Sequence, residues 1–167
     1  MDPDFEQVVA SRYDRLLRTA FVLCGDHHAA EDLVPTVFVR VHRSWQRAAR
    51  ANDLDGYLYS CLVNTSRSWR RRRWHGEQAT GTLPEATGRD PYADVDLRAA
   101  LLTALGTLPA RQREVLALRF LVGLSELETA AAVQCSVGTV KSRAFRALAT
   151  LRSSGVLDDD RDTERQT

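Results

Sequence analysis

The segment SVGTVKSRAFRALATLR, residues 136–152, sets hydroxyls, cations and an aromatic ring at helical spacing. Those are the residue types that read base edges and phosphates from a major groove. Ser136 is a good N-cap, so the spacing predicts a helix from 137 to about 151. At about 100° per residue, Val137, Val140, Ala144, Ala147, Leu148 and Leu151 share one face. The opposite face carries Thr139, Ser142, Phe145, Arg146 and Ala149, flanked by Lys141, Arg143 and Arg152. Its cations meet little acid, and its small residues let a helix sit deep in a groove. The plain alternative is a solvated basic helix.

A second constellation lies in LYSCLVNTSRSWRRRRW. Tyr57 and Tyr59 precede Asn64 and Ser66, then Arg67, Trp69, Arg70, Arg71, Arg72, Arg73 and Trp74. Arginines hold phosphates, and aromatic rings with an amide can receive unstacked bases. The plain reading makes Tyr59 and Trp69 core and the Arg run a soluble helix end; the tryptophans are left open between core and function. Charge mapping supports phosphate contact. The chain has a formal net charge of only +1, yet 40–74 holds nine arginines against Asp53 and Asp55. The residues from Asp158 onward are acidic instead, so the average hides opposite local charges.

Other chemistry is poorly served. Glu31 and Asp32 are helix neighbours pointing about 100° apart, a poor pair for a metal. His27 and His28 fail for the same reason, and no Gly-rich phosphate loop or nucleophile elbow occurs. Cys24, Cys61 and Cys135 lack zinc spacing, which fits reduced core thiols. No apolar run approaches the ~18 residues of a membrane span. The start, MDPDFEQVV, lacks the basic and apolar regions of a secretion signal, so a cytoplasmic location is expected. No enzyme, cofactor or metal is expected.

Helices must position these groups. One opens near Pro3 and ends at Gly25; a second, capped by Asp26, runs to about Arg47; a third starts behind Asp53. Residues 75–90 lose periodicity and read as a flexible linker. Asp90 and Pro91 start the next helix, and Pro109 and Gly123 bound another. Ser125 and Glu128 have capping-box spacing before a short Ala-rich helix, and a turn through Gln134 leads to Ser136. Gln134 stands where a left-handed backbone favours Gly, a cost of about 1 kcal/mol. The fold class is all-α: two small helical domains, 1–74 and 91–152, joined by the linker 75–90 and followed by an acidic disordered tail, 153–167.

Together these stretches resemble the extracytoplasmic-function RNA polymerase sigma factors of the sigma-70 family, in an Arg- and Ala-rich actinobacterial style. AEDLVPTVFVRVHRSW and LYSCLVNTSRSWRRRR look like region 2, and LPARQREVLALRFLVGLSELETAAAVQCSVGTVKSRAFRALATLR looks like region 4. The resemblance implies a non-catalytic subunit that binds core RNA polymerase and directs promoter-specific initiation. Asp32, Leu33, Pro35, Thr36 and Phe38 would meet the β′ coiled coil. Arg50, Asn52, Tyr57, Asn64, Arg67, Arg70, Arg71 and Arg73 would handle melted −10 bases and their phosphates. Ser136, Thr139, Lys141, Ser142, Arg143, Phe145 and Arg146 would read the −35 duplex, with region 4 on the β flap. An anti-sigma factor is a further candidate partner. Pro35 and Thr36 depart from the family's usual Gln and Glu. The competing reading is a two-domain helix-turn-helix regulator that binds duplex DNA without polymerase.

Overall fold

The computed structural model describes residues 3–76 and 94–157, and no strand occurs among them. The helices are α1 (Pro3–Cys24), α2 (His27–Arg43), α3 (Trp45–Ala49), α4 (Leu54–Gly76), α5 (Asp94–Thr107), α6 (Ala110–Leu116), α7 (Glu126–Val133) and α8 (Val137–Ser153). Between α6 and α7 the helix loosens into a π-helical segment, Ala117–Val122.

Local chemistry explains most boundaries. Gly25 ends α1 at φ +70°, a conformation that favours glycine. The Asp26 carboxylate accepts from the backbone N–H groups of His28 (3.2 Å) and Ala29 (3.3 Å), capping α2. Asp53 accepts from the Gly56 N–H at 2.9 Å. A Cβ on Gly56 would lie 2.1 Å from that carboxylate, so the cap needs a glycine there. Ser125 and Glu128 form the reciprocal capping box, and Ser136 caps α8. Gln134 does adopt the left-handed conformation, φ +58°, at the end of α7.

The second helix does not continue to Arg47. It stops at Arg43 and restarts at Trp45, because Ser44 turns its N–H to the Val41 carbonyl (3.1 Å). The Ser44 hydroxyl bonds the Arg40 carbonyl (3.0 Å) and the Tyr57 hydroxyl (3.1 Å), pinning the break to α4. Helix α4 also takes in His75 and Gly76, expected in the linker. The rest of the linker, the start expected at Pro91 and the tail from 158 lie outside the described residues. Of the tail, Ser153 closes α8 and residues 154–157 form a turn.

Helix α2 runs unbroken through Pro35, whose side chain is exposed. Proline has no N–H to give the Glu31 carbonyl, and its ring crowds the preceding turn. The Thr36 hydroxyl supplies a bond to the Asp32 carbonyl at 3.0 Å, which offsets little of this. Pro35→Gln is therefore expected to stabilise the chain by about 1–2 kcal/mol, part of the ~3 kcal/mol of an interior proline. Thermal unfolding checks it: a melting temperature below the parent's is the opposite result.

The helices pack as two modules, α1–α4 and α5–α8, and the second lies on the first. One continuous apolar cluster joins Leu58, Leu62 and Val63 with Leu118, Ala130 and Val133. Helix α7 rests on α4, and the π-helical segment rests on α1. A smaller cluster of Ala104, Leu108, Leu116, Ala147 and Leu151 ties α8 to α5 and α6.

Candidate nucleic-acid interface

The outer face of α8 is open. Val140, Ala147 and Leu151 are buried, Val137, Ala144 and Leu148 half-buried, as the periodicity predicts. Lys141, Ser142 and Arg146 are exposed, Arg143 is half-buried, and the Phe145 ring is 71% exposed. An uncovered aromatic ring among cations is costly in water and fits an apolar contact such as a thymine methyl. Two members are committed elsewhere. The Ser136 hydroxyl accepts the Thr139 N–H (3.1 Å) and bonds the Thr139 hydroxyl (2.9 Å), so both serve the cap. Lys141 sits 3.6 Å from Glu126, an exposed pair worth little.

The basic face of α4 divides in two. Arg71 and Arg73 are exposed, as are Arg72 and Trp74. Arg67 and Arg70 turn instead to Glu114 of α6. Arg67 donates from Nε (3.1 Å) and Nη2 (2.6 Å), and Arg70 from Nη2 (2.9 Å). The Glu114 side chain is 2% exposed and that of Arg67 12%. Burial alone would raise the Glu114 pKa; hydrogen bonds and charge from Arg67, then Arg70 and Arg111, outweigh it and hold the carboxyl below its ordinary value. Tyr59 is core, 2% exposed, and Trp69 packs half-buried on the same cluster. Asn64 is half-buried on α4, and Tyr57 faces the Ser44 break.

That break opens a groove of about 900 Å³ lined by His42, Arg43, Trp45, Arg47 and Arg50 among others. Cations and an indole around one concavity suit an unstacked base and its phosphates. Exposed Asn52 lies just beyond Arg50 and Ala51. Only Arg50 of the groove stood in the −10 set read from sequence. The available signal was Ser44 itself, a capping residue inside an apparently continuous helix.

The polymerase set needs correction. Leu33 is fully buried, and Phe38 (6% exposed) packs edge-on against Phe5 at 6.4 Å. Core side chains offer no surface to a partner. Thr36 is half-buried, whereas Asp32 and Pro35 are exposed, and Val39, 53% exposed, is an apolar side chain left open on the same helix.

Among the described residues, no three His, Cys, Asp or Glu side chains gather to hold a metal. Burial pushes the Cys24 and Cys61 thiols up from their ordinary value, which keeps both poor nucleophiles. No described helix is long and apolar enough to cross a membrane.

Family models decide what carries these faces: sigma-70 region 2 matches residues 8–76, and sigma-70 region 4 matches residues 98–151. The chain belongs to the sigma-70 family. Within it, the extracytoplasmic-function group is supported by relatives so named, such as SigE of Mycolicibacterium smegmatis, 35% identical over 90% of the chain. The chain is 40% identical to the RNA polymerase sigma-E factor of Streptomyces antibioticus, spanning 89% of this chain and 83% of that one. It is 39% identical to the sigma-E factor of Streptomyces coelicolor, over 93% and 88%. Among solved structures, the sigma factor RpoE of Bartonella quintana, in complex with the anti-sigma factor NepR, superposes with a TM-score of 0.81 at 28% identity. That match covers 93% of this chain and 98% of RpoE. The sigma factor thus directs transcription initiation with RNA polymerase, and the polymerase-independent regulator is not favoured.

Proposed function

We propose that this sigma factor reads promoters through two separate faces while polymerase performs all catalysis. Region 4 reads the −35 duplex through Ser142, Arg143, Phe145, Arg146 and Lys141, with Ser136 and Thr139 holding the start of α8. The groove at the α2–α3 break receives a melted −10 base, with Arg50, Asn52, Tyr57 and Asn64 around it. Arg67, Arg70, Arg71 and Arg73 hold the neighbouring phosphates. Binding energy from captured bases offsets their unstacking, so no nucleotide hydrolysis is required. The exposed face of α2, with Asp32, Pro35 and Val39 and with Thr36 at its edge, meets the β′ coiled coil, and region 4 meets the β flap. The protein works in the cytoplasm.

The observation that carries this reading is the uncovered Phe145–Arg146 edge of α8 on a sigma-matched helix-turn-helix. An anti-sigma factor is a further partner, supported by the likeness to RpoE held by NepR and to CnrH held by the cytosolic domain of CnrY. Run-off transcription with core RNA polymerase from Streptomyces on a pooled promoter library tests the whole. Transcripts that appear only with this chain, from templates sharing two spaced elements, are expected. No new transcript, alongside tight binding of the chain alone to some duplex, overturns it.

A further inference from the structure

Glu114 answers the charges of Arg67, Arg70 and Arg111, but two further arginines close by have no carboxylate. Arg113 of α6 donates from Nη1 to the Leu23 carbonyl (3.3 Å) and from Nη2 to the Leu108 carbonyl (3.0 Å), which fixes its guanidinium. Its Nε is buried and has no hydrogen-bond partner among the described residues. A buried donor left unmade is costly, more so on a cation. Burial, and then the neighbouring charge of Arg70, lowers the Arg113 pKa from its ordinary value, so positive charge is in excess here. Arg73 of α4 is exposed and joins no ion pair among the described residues.

These groups line one cavity of about 80 Å³, bounded by α1, α2, α4 and α6, with Cys24, Ser66, Trp69, Arg70, Arg73 and Arg113 in its wall. That is several times the space a single water needs, and small for a nucleoside. No carboxylate lines it among the described residues. Cys24 supplies no charge either: burial raises its pKa despite Arg73 and Arg70, and the thiol is neutral at neutral pH. We propose that this cavity binds a tetrahedral oxyanion of the phosphate class, held by Arg70, Arg73 and Arg113 with the Ser66 hydroxyl. An arginine fork matches paired phosphate oxygens, and Ser66, 4% exposed, adds a neutral donor. The buried Nε of Arg113 sets the site apart from the promoter faces. A DNA strand lying along α4 cannot reach it, whereas a free anion or the terminal phosphate of a nucleotide can enter the cavity.

Isothermal titration calorimetry of the full-length chain, with inorganic phosphate and separately with ATP, tests the site. Saturable single-site binding is expected. Arg73→Ala and Arg113→Gln should each weaken it roughly tenfold, the loss of one charge-assisted hydrogen bond. Arg72→Ala removes the same charge from an exposed neighbour outside the cavity. It should change affinity by less than about twofold, because solvent screens an exposed cation. Circular dichroism accompanies each variant, and if Arg113→Gln has lost helix, Arg73→Ala decides. ATP binding tighter than phosphate, and lost in the same variants, assigns the site to a nucleotide's terminal phosphate. Phosphate binding at least as tight assigns it to the free anion. Saturable binding of neither ligand overturns the proposal. So does an Arg72→Ala loss equal to that of Arg73→Ala, since the basic surface then attracts anions only diffusely.

Discussion

Truncating Leu33 to Ala lowers stability by about 2–5 kcal/mol, the range for a buried leucine. For a chain of this size the melting temperature falls on the order of 10 °C. Leu33 is fully buried among α1, α2 and α4, and the vacated volume cannot be filled without moving those helices. The partner experiment is Asp32→Ala, one position away and exposed. It should change stability by no more than about 0.5 kcal/mol yet weaken binding to core polymerase. Thermal unfolding together with a polymerase pull-down separates the two. A Leu33→Ala chain with the parent's melting temperature and reduced polymerase binding would reverse the assignment.

The second large effect concerns α8. Arg146→Ala is expected to lose about 1–3 kcal/mol on the cognate −35 duplex, the range for a residue that touches a base edge. Its side chain is exposed and makes no ion pair among the described residues, so its removal costs the fold little. Titrating parent and variant against cognate and scrambled duplexes distinguishes two roles. A loss confined to the cognate sequence marks base reading, and an equal loss on both marks a phosphate contact. Equal affinity of parent and variant would move the DNA-facing side away from Arg146.

Both predictions turn on what sequence can express. Residues whose role is local were legible: Asp26, Ser125 and Ser136 cap the helices they appear to cap, and the inward stripe of α8 is the buried one. Gln134 takes the strained conformation its position demands. The Ser44 break was hidden because its hydroxyl is drawn to Tyr57, thirteen positions away. Leu33 and Phe38 were assigned outward by the family resemblance, and the direction of an apolar side chain on α2 is not defined until α1 and α4 are placed around it. Glu114 was passed over entirely. Its one trace is that it lies a helical turn before Leu118, on the stripe that is buried. A carboxylate there predicts a buried cation, but not that Arg67, from the other module, supplies it. Family membership was carried by motif order, which survives ignorance of how the modules meet.

That both modules belong to one chain changes how their contact responds to surroundings. Tethered partners meet at an effective concentration on the order of millimolar. An interface too weak to hold separate chains together can therefore remain closed within one. Its occupancy is indifferent to how much protein the cell contains. Dilution, which separates two associated chains, leaves this contact untouched.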